Sequence, residues 1–188
     1  MKIILGSYSK QIIKLLLKAG YSFEVMPSDI NEKTIRKEDP KELTMALAMA
    51  KAEALLAKIQ EPVLLVTADQ VVYCNGQILE KPEDAKAARR FLEGYAKHPA
   101  EVINATVVTN MQNGKQAGEN DVSTVYFRPF SEEVISKLIE EGNIFSQAGA
   151  FSVEDRLVAP FVERVEGSVD SVEGLSIELM ERLIKEVA

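Results

Sequence analysis

Cysteine is nearly absent. Cys74 is the only one in 188 residues, so no internal disulfide framework can form. That scarcity suits a reducing cytosol, and Cys74, with no basic neighbour in sequence, is expected to be a small buried hydrophobe. Histidine is equally scarce. No cysteine/histidine cluster has the spacing of a zinc site. A histidine-based triad would have to use His98, which sits beside Pro99 in an expected loop, a setting that favours the surface. Positive charge is in deficit: the formal net charge of −7 argues against a non-specific nucleic-acid binder, which needs a basic face. Local lysines can still hold a small anion. No apolar stretch approaches the roughly 20 residues of a membrane span. The start, Met-Lys-Ile-Ile-Leu-Gly-Ser, lacks the charged lead, apolar run and cleavage site of a signal peptide. A cytoplasmic protein with no membrane partner and no nucleic-acid partner is the expectation.

What is present is an ordinary globular composition, 46% apolar, long enough for one domain or for one domain with a small lobe. Repeats and low-complexity segments are missing. Ile3–Leu5 reads as a strand opening into Gly6-Ser7-Tyr8-Ser9, then a helix over Lys10–Ala19 stopped by Gly20. Phe23–Met26 reads as a strand, and Lys41–Lys58, rich in Ala, Leu, Met, Lys and Glu, as a long helix. Val63–Val66 is an apolar strand. Val71–Tyr73 and Gln77–Leu79 flank Asn75-Gly76 as a hairpin. A helix is expected over Asp84–Glu93. A longer hairpin joins Glu101–Asn110 to Asp121–Arg128 through Asn113-Gly114. A helix behind Ser131 runs to Gly142, Phe161–Val165 is a strand, and Ser176–Val187 the last helix. The mixture of β–α units and hairpins predicts an α/β fold with a mixed sheet and flanking helices. No linker divides the chain, so one domain over residues 1–188 is expected, with room for two lobes around a cleft.

Four places set polar side chains at the edge of an apolar element. In Gly6-Ser7-Tyr8-Ser9-Lys10, N–H groups, hydroxyls and a lysine at a helix start attract phosphate; a plain helix cap by Ser7 or Ser9 explains the same residues. Asp69 follows Val63–Val66, where a strand-end carboxylate can bind a metal or accept a proton, or simply bond to a turn backbone. In Glu80-Lys81-Pro82 the proline fixes the backbone and can aim Lys81 inward, or Lys81 is a solvated lysine. Lys51 lies among Ala48, Ala50, Ala52 and Ala54, small neighbours that admit close approach on a helix that is otherwise just a good helix.

Taken together these residues resemble the Maf family. Leu5-Gly6-Ser7-Tyr8-Ser9 is similar to its L-[AG]-S-x-S, and Ser28-Asp29-Ile30-Asn31-Glu32 to S-D-I-D-E with Asn31 replacing the second aspartate. Leu47-Ala48 with Lys51-Ala52 resembles L-A-x-x-K-A, Ala68-Asp69-Gln70-Val71 resembles [AS]-D-[TQ]-V, and Lys81-Pro82 its K-P. Ala148-Gly149-Ala150-Phe151 resembles A-G-[AS]-[YF], and Val172-Glu173-Gly174-Leu175 resembles V-x-G-L-P with Ser176 in place of the proline. These short matches run from Leu5 to Leu175 in the family's order.

The resemblance implies an elongated mixed sheet with a central cleft, similar to inosine triphosphatases, often in a homodimer. It implies hydrolysis of a nucleoside triphosphate to monophosphate and pyrophosphate, with Asp69 as the general base. A divalent metal, Mg²⁺ or Mn²⁺, would sit on Glu32 and Asp69, and Lys51, Lys81 and Ser7 would contact phosphate. It also bears on the base. One branch of the family favours thymidine and uridine triphosphates and carries Thr after the aspartate and Gln in A-G-A-Y-x-x-Q. The other favours 7-methylguanosine triphosphate and carries Gln and Glu there, as Gln70 and Glu154 do here. One departure stands out. Two arginines that bind triphosphate in the family are missing from Lys10-Gln11-Ile12-Ile13-Lys14. That keeps in view a weakly active or non-catalytic nucleotide-binding module, a dTTP/UTP pyrophosphatase, and a hydrolase of another phosphoanhydride or phosphoester.

Overall fold

The structure is a computed structural model that describes residues 1–188. In chain order its elements are β1 (Ile3–Leu5), α1 (Lys10–Lys18), β2 (Phe23–Val25), α2 (Pro40–Leu56), β3 (Leu64–Cys74), β4 (Gln77–Leu79) and α3 (Ala85–Gly94). They continue with β5 (Ala100–Asn110), β6 (Gln116–Phe127), α4 (Glu132–Glu141), β7 (Val162–Glu166), α5 (Val169–Val172) and α6 (Ile177–Val187).

The helix starts are set by side-chain caps that satisfy N–H groups without an intrahelical partner. Ser9 Oγ accepts from Ile12 N, Asp39 Oδ1 from Lys41 N and Glu42 N, Asp84 Oδ1 from Ala87 N, Ser131 Oγ from Val134 N, and Ser176 Oγ from Leu179 N. Pro40 at the first position of α2 gives up a donor the helix would not have used. Gly142 ends α4 with φ of 75°, a left-handed turn that glycine adopts without steric cost.

The seven strands form one mixed sheet in the order β2-β1-β3-β5-β6-β7, with β4 paired to β3. β1 lies parallel to β2 and to β3, whereas β3–β4 and β6–β7 are antiparallel. A parallel neighbour needs a crossover, which α1 supplies between β1 and β2. The β3–β4 hairpin closes on Asn75 and Gly76, at φ of 48° and 77°, the pair of positive values that a two-residue hairpin turn requires.

The chain divides into two compact units. The first comprises Met1–Asp69, Asn104–Asp121 and Glu173–Ala188, the second Gln70–Ile103 and Val122–Val172. In the first unit, period-two alternation sends side chains to two separate cores. Ile3, Leu5, Leu64 and Val66 meet α1 and α6 through Ile12, Leu16, Leu179 and Met180. Ile4, Val63, Leu65, Ala105 and Val107 meet α2 through Ala48, Ala52 and Leu55. That double burial is why β1 reads as an unbroken apolar run. The second unit has one core. Tyr95, Phe127 and Phe151 stack with centroids 5.0–5.4 Å apart, and Leu92 of α3 and Leu138 of α4 pack into the same cluster.

Two strands are longer than the sequence suggested. The apolar strand does not stop at Val66: β3 runs unbroken from Leu64 to Cys74, so Asp69 lies in mid-strand rather than at a strand end. Thr67 and Ala68 are small enough to stay buried in the sheet, and Thr67 Oγ1 donates to Ala48 O at 2.8 Å, which satisfies its hydroxyl. β6 begins at Gln116 rather than near Asp121, because the polar run 116–121 pairs with β5 while leaving several of its side chains outside. The short helix α5 had no periodic signal in the sequence.

Candidate active site

β1 delivers the loop Gly6–Ser9 alongside β3. The parallel register pairs Leu5 with Val66, and Gly6 N donates to Val66 O at 2.8 Å. A Cβ at position 6 would lie 2.6 Å from Thr67 Cγ2 and 2.8 Å from Leu55 Cδ1, so only glycine lets the loop approach this closely. Within the loop the two serines divide their work. Ser9 is the cap of α1, and Ser7 Oγ accepts from Ser9 N at 3.2 Å, retaining its own O–H as a donor. Ile12 is buried at 5% exposure and Ile13 packs against the same core, so the stretch that lacks the family's arginines turns partly inward.

α2 carries Lys51 to the same region. Ala48 and Ala52, both fully buried, let the helix lie close on β3. Lys51 Nζ stands 2.7 Å from Asp69 Oδ1, 2.9 Å from Glu32 Oε1 and 3.3 Å from Ala68 O. The Lys51 and Asp69 side chains are 11% and 10% exposed, whereas Glu32, on the segment between β2 and α2, is 52% exposed. Burial acts to lower the pKa of Lys51. The charge of Asp69, then that of Glu32, outweighs it and holds the ammonium above its ordinary value. Two carboxylates thus face one ammonium, one of them nearly buried and the other half exposed.

The remaining expected site residues fall in the second unit. Gln70 Nε2 donates to Val172 O at 3.0 Å and to Ser171 O at 3.3 Å, so both amide hydrogens hold the end of α5. Lys81 is exposed beside the buried Pro82. Gly149 N donates to Glu80 O at 3.1 Å, which ties the Glu80-Lys81-Pro82 and Ala148-Gly149-Ala150 segments to each other. Gly149 and Ala150 have φ of 67° and 64°, a left-handed pair. Tyr95 OH donates to Gly149 O at 2.7 Å and locks that turn. Tyr95 was missed in the sequence because a single tyrosine near a helix end carries no pattern. Glu154 is exposed on the turn that follows, with its N–H on Ser152 Oγ at 3.3 Å.

Glu32, Lys51, Asp69 and the Ser7 loop are thus in the first unit, and Gln70, Lys81 and Glu154 in the second. Cys74 is buried, with its thiol on His98 O at 3.8 Å.

The site thus combines a mixed α/β sheet, a nearly buried lysine clamped by two carboxylates and a serine loop at a helix start. The chain belongs to the Maf family: the family of Maf-like proteins matches residues 2–187. It is 39% identical over 193 residues to a 7-methyl-GTP pyrophosphatase of Dictyostelium discoideum, covering 99% of this chain and 97% of that protein. It is 37% identical over 185 residues to a nucleoside triphosphate pyrophosphatase of Synechococcus sp. (strain JA-2-3B'a(2-13)), covering 98% and 93%. A dTTP/UTP pyrophosphatase of Vibrio vulnificus (strain YJ016) is 32% identical over 185 residues, covering 98% of each chain.

Proposed function

We propose that this protein hydrolyses the α–β phosphoanhydride of a nucleoside triphosphate, releasing the monophosphate and pyrophosphate, with 7-methyl-GTP as the favoured substrate. The observation that carries the reading is the nearly buried Lys51 ammonium held 2.7 Å from Asp69 and 2.9 Å from Glu32. Such a group binds cations through its carboxylates and phosphate through its lysine.

The Asp69 carboxylate, 2.7 Å from the Lys51 ammonium, accepts a proton from the water that attacks the α-phosphorus. Lys51 and Lys81 offset negative charge on the phosphates and on the leaving pyrophosphate. Ser7 adds its hydroxyl and the N–H groups of its loop. The donor chemistry suits Mg²⁺ or Mn²⁺: the Asp69 and Glu32 carboxylates, both oxygen donors, converge on the same point at Lys51 Nζ. Mg²⁺ is held in this way, by one or two carboxylates with phosphate oxygens and waters completing the shell. When bound on Glu32 and Asp69, the metal would neutralise phosphate charge and polarise the target.

For the base, Glu154 accepts two hydrogen bonds from the N1–H and N2–H edge of guanine. The positive charge of a 7-methylated ring adds attraction. Gln70 belongs to the same reading, with Oε1 remaining as an acceptor. The nucleotide substrate and single cysteine fit a cytoplasmic enzyme, and the resemblance favours a homodimer. A weakly active nucleotide-binding module is the second reading, favoured by the absence of arginine from Lys10-Gln11-Ile12-Ile13-Lys14. No helix is long and apolar enough to cross a membrane.

The test is a panel of canonical and modified triphosphates with Mg²⁺ or Mn²⁺, scored for monophosphate and pyrophosphate. Equimolar monophosphate and pyrophosphate are expected. Release of orthophosphate instead would move the cleavage to another bond, and binding without turnover would favour the second reading.

A further inference from the structure

The lysine occupies the place that a metal would take. Lys51 Nζ is within 3 Å of one oxygen on each of the two carboxylates proposed as metal ligands, at 2.7 Å from Asp69 and 2.9 Å from Glu32. A Mg²⁺ or Mn²⁺ ion held by these two groups would take the same carboxylates that Lys51 now pairs with. It would then stand close to the ammonium, with like charges facing one another in a setting where solvent screens poorly. The three-residue group cannot hold both cations in this arrangement without a new anion to draw one of them off.

We infer that Lys51 is a resident cation that offsets one of the two negative charges of the Asp69–Glu32 pair until a divalent metal and its polyanion arrive together, and then turns from the carboxylates to the phosphates. The inference rests on the metal-dependent reading above and deepens it. Three features of the site support it. Lys51 balances Asp69, which is nearly buried and would be destabilising if left alone. Glu32 is half exposed on a segment of irregular structure and a single 3₁₀ turn, so its side of the clamp faces solvent, from which a metal comes. The pair plus the lysine is net negative, the pair plus a divalent ion would be neutral, and the released ammonium then needs phosphate as its partner. Metal and nucleotide binding are coupled as a result: free metal is resisted by the lysine, and metal carried on a triphosphate is not.

The experiment measures Mn²⁺ affinity by electron paramagnetic resonance, without nucleotide and with a non-hydrolysable α,β-methylene triphosphate. It compares the wild type with Lys51→Gln and Lys51→Arg. Glutamine keeps a hydrogen-bond donor for Asp69 and removes the charge; arginine keeps the charge. Thermal melting of each variant checks the fold. Lys51→Gln is expected to bind free Mn²⁺ about tenfold tighter or more, the effect of one relieved like-charge contact. The strengthening produced by the triphosphate analogue should shrink in that variant, and Lys51→Arg should bind free Mn²⁺ no tighter than wild type. Equal or weaker Mn²⁺ binding by Lys51→Gln, in a protein whose wild type is metal-dependent, overturns this inference alone. A wild type that releases pyrophosphate undiminished in excess chelator overturns the metal reading and this inference together.

Discussion

Lys51 Nζ lies 2.7 Å from Asp69 Oδ1, joining the middle of a long helix to the middle of a long strand. Because the second carboxylate, Glu32, also meets this ammonium, Lys51 keeps an ion-pair partner when Asp69 loses its charge. Asp69→Asn is therefore expected to stay folded, with asparagine Oδ1 still accepting from the lysine. If Asp69 is the base, as proposed, the proton acceptor is then lost, and the rate should fall by about 10²–10⁴. Pyrophosphate release and far-UV circular dichroism together check this. A folded mutant at near-wild-type rate removes Asp69 from the mechanism.

Gly6 is expected to tolerate no side chain. The nearest obstacle to a new Cβ is Thr67 Cγ2 at 2.6 Å, and Thr67 cannot swing aside without breaking the bond from Oγ1 to Ala48 O. Leu55 Cδ1, the second obstacle at 2.8 Å, is the end of a flexible side chain and can give. Gly6→Ala should cost about 1–3 kcal/mol, the usual range for overpacking, and should disturb the Ser7 loop. Chemical denaturation measures the first effect and the Michaelis constant the second. Unchanged stability would mean that the loop shifts freely away from β3.

The turn at Gly149 depends on Tyr95 in the same manner. A Cβ there would meet Tyr95 OH at 2.6 Å and Val72 Cγ2 at 2.7 Å, on a backbone with φ of 67°. Gly149→Ala combines a clash with left-handed strain of about 1–2 kcal/mol. Tyr95→Phe leaves the ring stack in place and removes the bond to Gly149 O, a loss of about 1 kcal/mol. The two variants should therefore rank with Gly149→Ala the less stable. Melting temperatures decide it, and the reverse order would show that the Tyr95 hydroxyl bond to Gly149 O outweighs the crowding and strain at Gly149.

Much of this architecture was legible in the sequence, for reasons that differ by element. Caps and breakers carry their own chemistry, so Ser131, Gly142 and Ser176 marked their helices correctly. The unbroken apolar run of β1 and the Asn75-Gly76 turn likewise have one structural solution each. β3 was misjudged because Thr67 to Gln70 interrupts the apolar signal, and only the packing of α2 explains how a buried threonine and a nearly buried aspartate continue a strand. In the site, Lys51 and Asp69 were singled out from their local sequence, and Glu32 by the resemblance, which paired it with Asp69. Their meeting at one ammonium was not visible, because it depends on the path of the segment between β2 and α2, which has no periodicity. Tyr95 and the carbonyls that receive Gln70 were invisible for a related reason: backbone acceptors leave no trace in residue type.

The missing arginines give a prediction that the fold refines. Ile12 is buried against α6 and the sheet, so Ile12→Arg would force a charge into the first unit's core and is expected to destabilise by about 3 kcal/mol or more. Ile13 packs against the same core and is no better a site. Gln11, half-buried in the first turn of α1 and bonded by Ser9 Oγ at 3.3 Å, is the better place to restore the charge. Gln11→Arg should keep the fold and lower the Michaelis constant for a triphosphate, since a bidentate guanidinium–phosphate contact is among the stronger hydrogen bonds. Steady-state kinetics with intact melting behaviour checks it. An unchanged constant would mean that the phosphates are held elsewhere.

On the proposed reading base preference rests on Glu154, which lies exposed on a turn. A carboxylate suits the guanine edge because N1–H and N2–H point the same way, and two donors can meet two oxygens. Uracil and thymine offer one N–H between two carbonyls, which a carboxylate repels. Methylation at N7 makes the purine cationic and adds Coulomb attraction, weakened in water and stronger where solvent is excluded. Wild-type protein should therefore prefer 7-methylguanosine triphosphate over guanosine triphosphate, and both over the pyrimidines. Glu154→Gln removes the charge and keeps the size, so it should reduce the preference for the methylated base more than it reduces turnover of unmethylated guanosine triphosphate. Ratios of kcat/KM from mixed-substrate competition give the answer directly, free of enzyme concentration. A wild type that prefers uridine or thymidine triphosphate ends the assignment to the methylguanine branch. A Glu154→Gln variant with unaltered ratios ends the role of Glu154 while leaving that assignment standing.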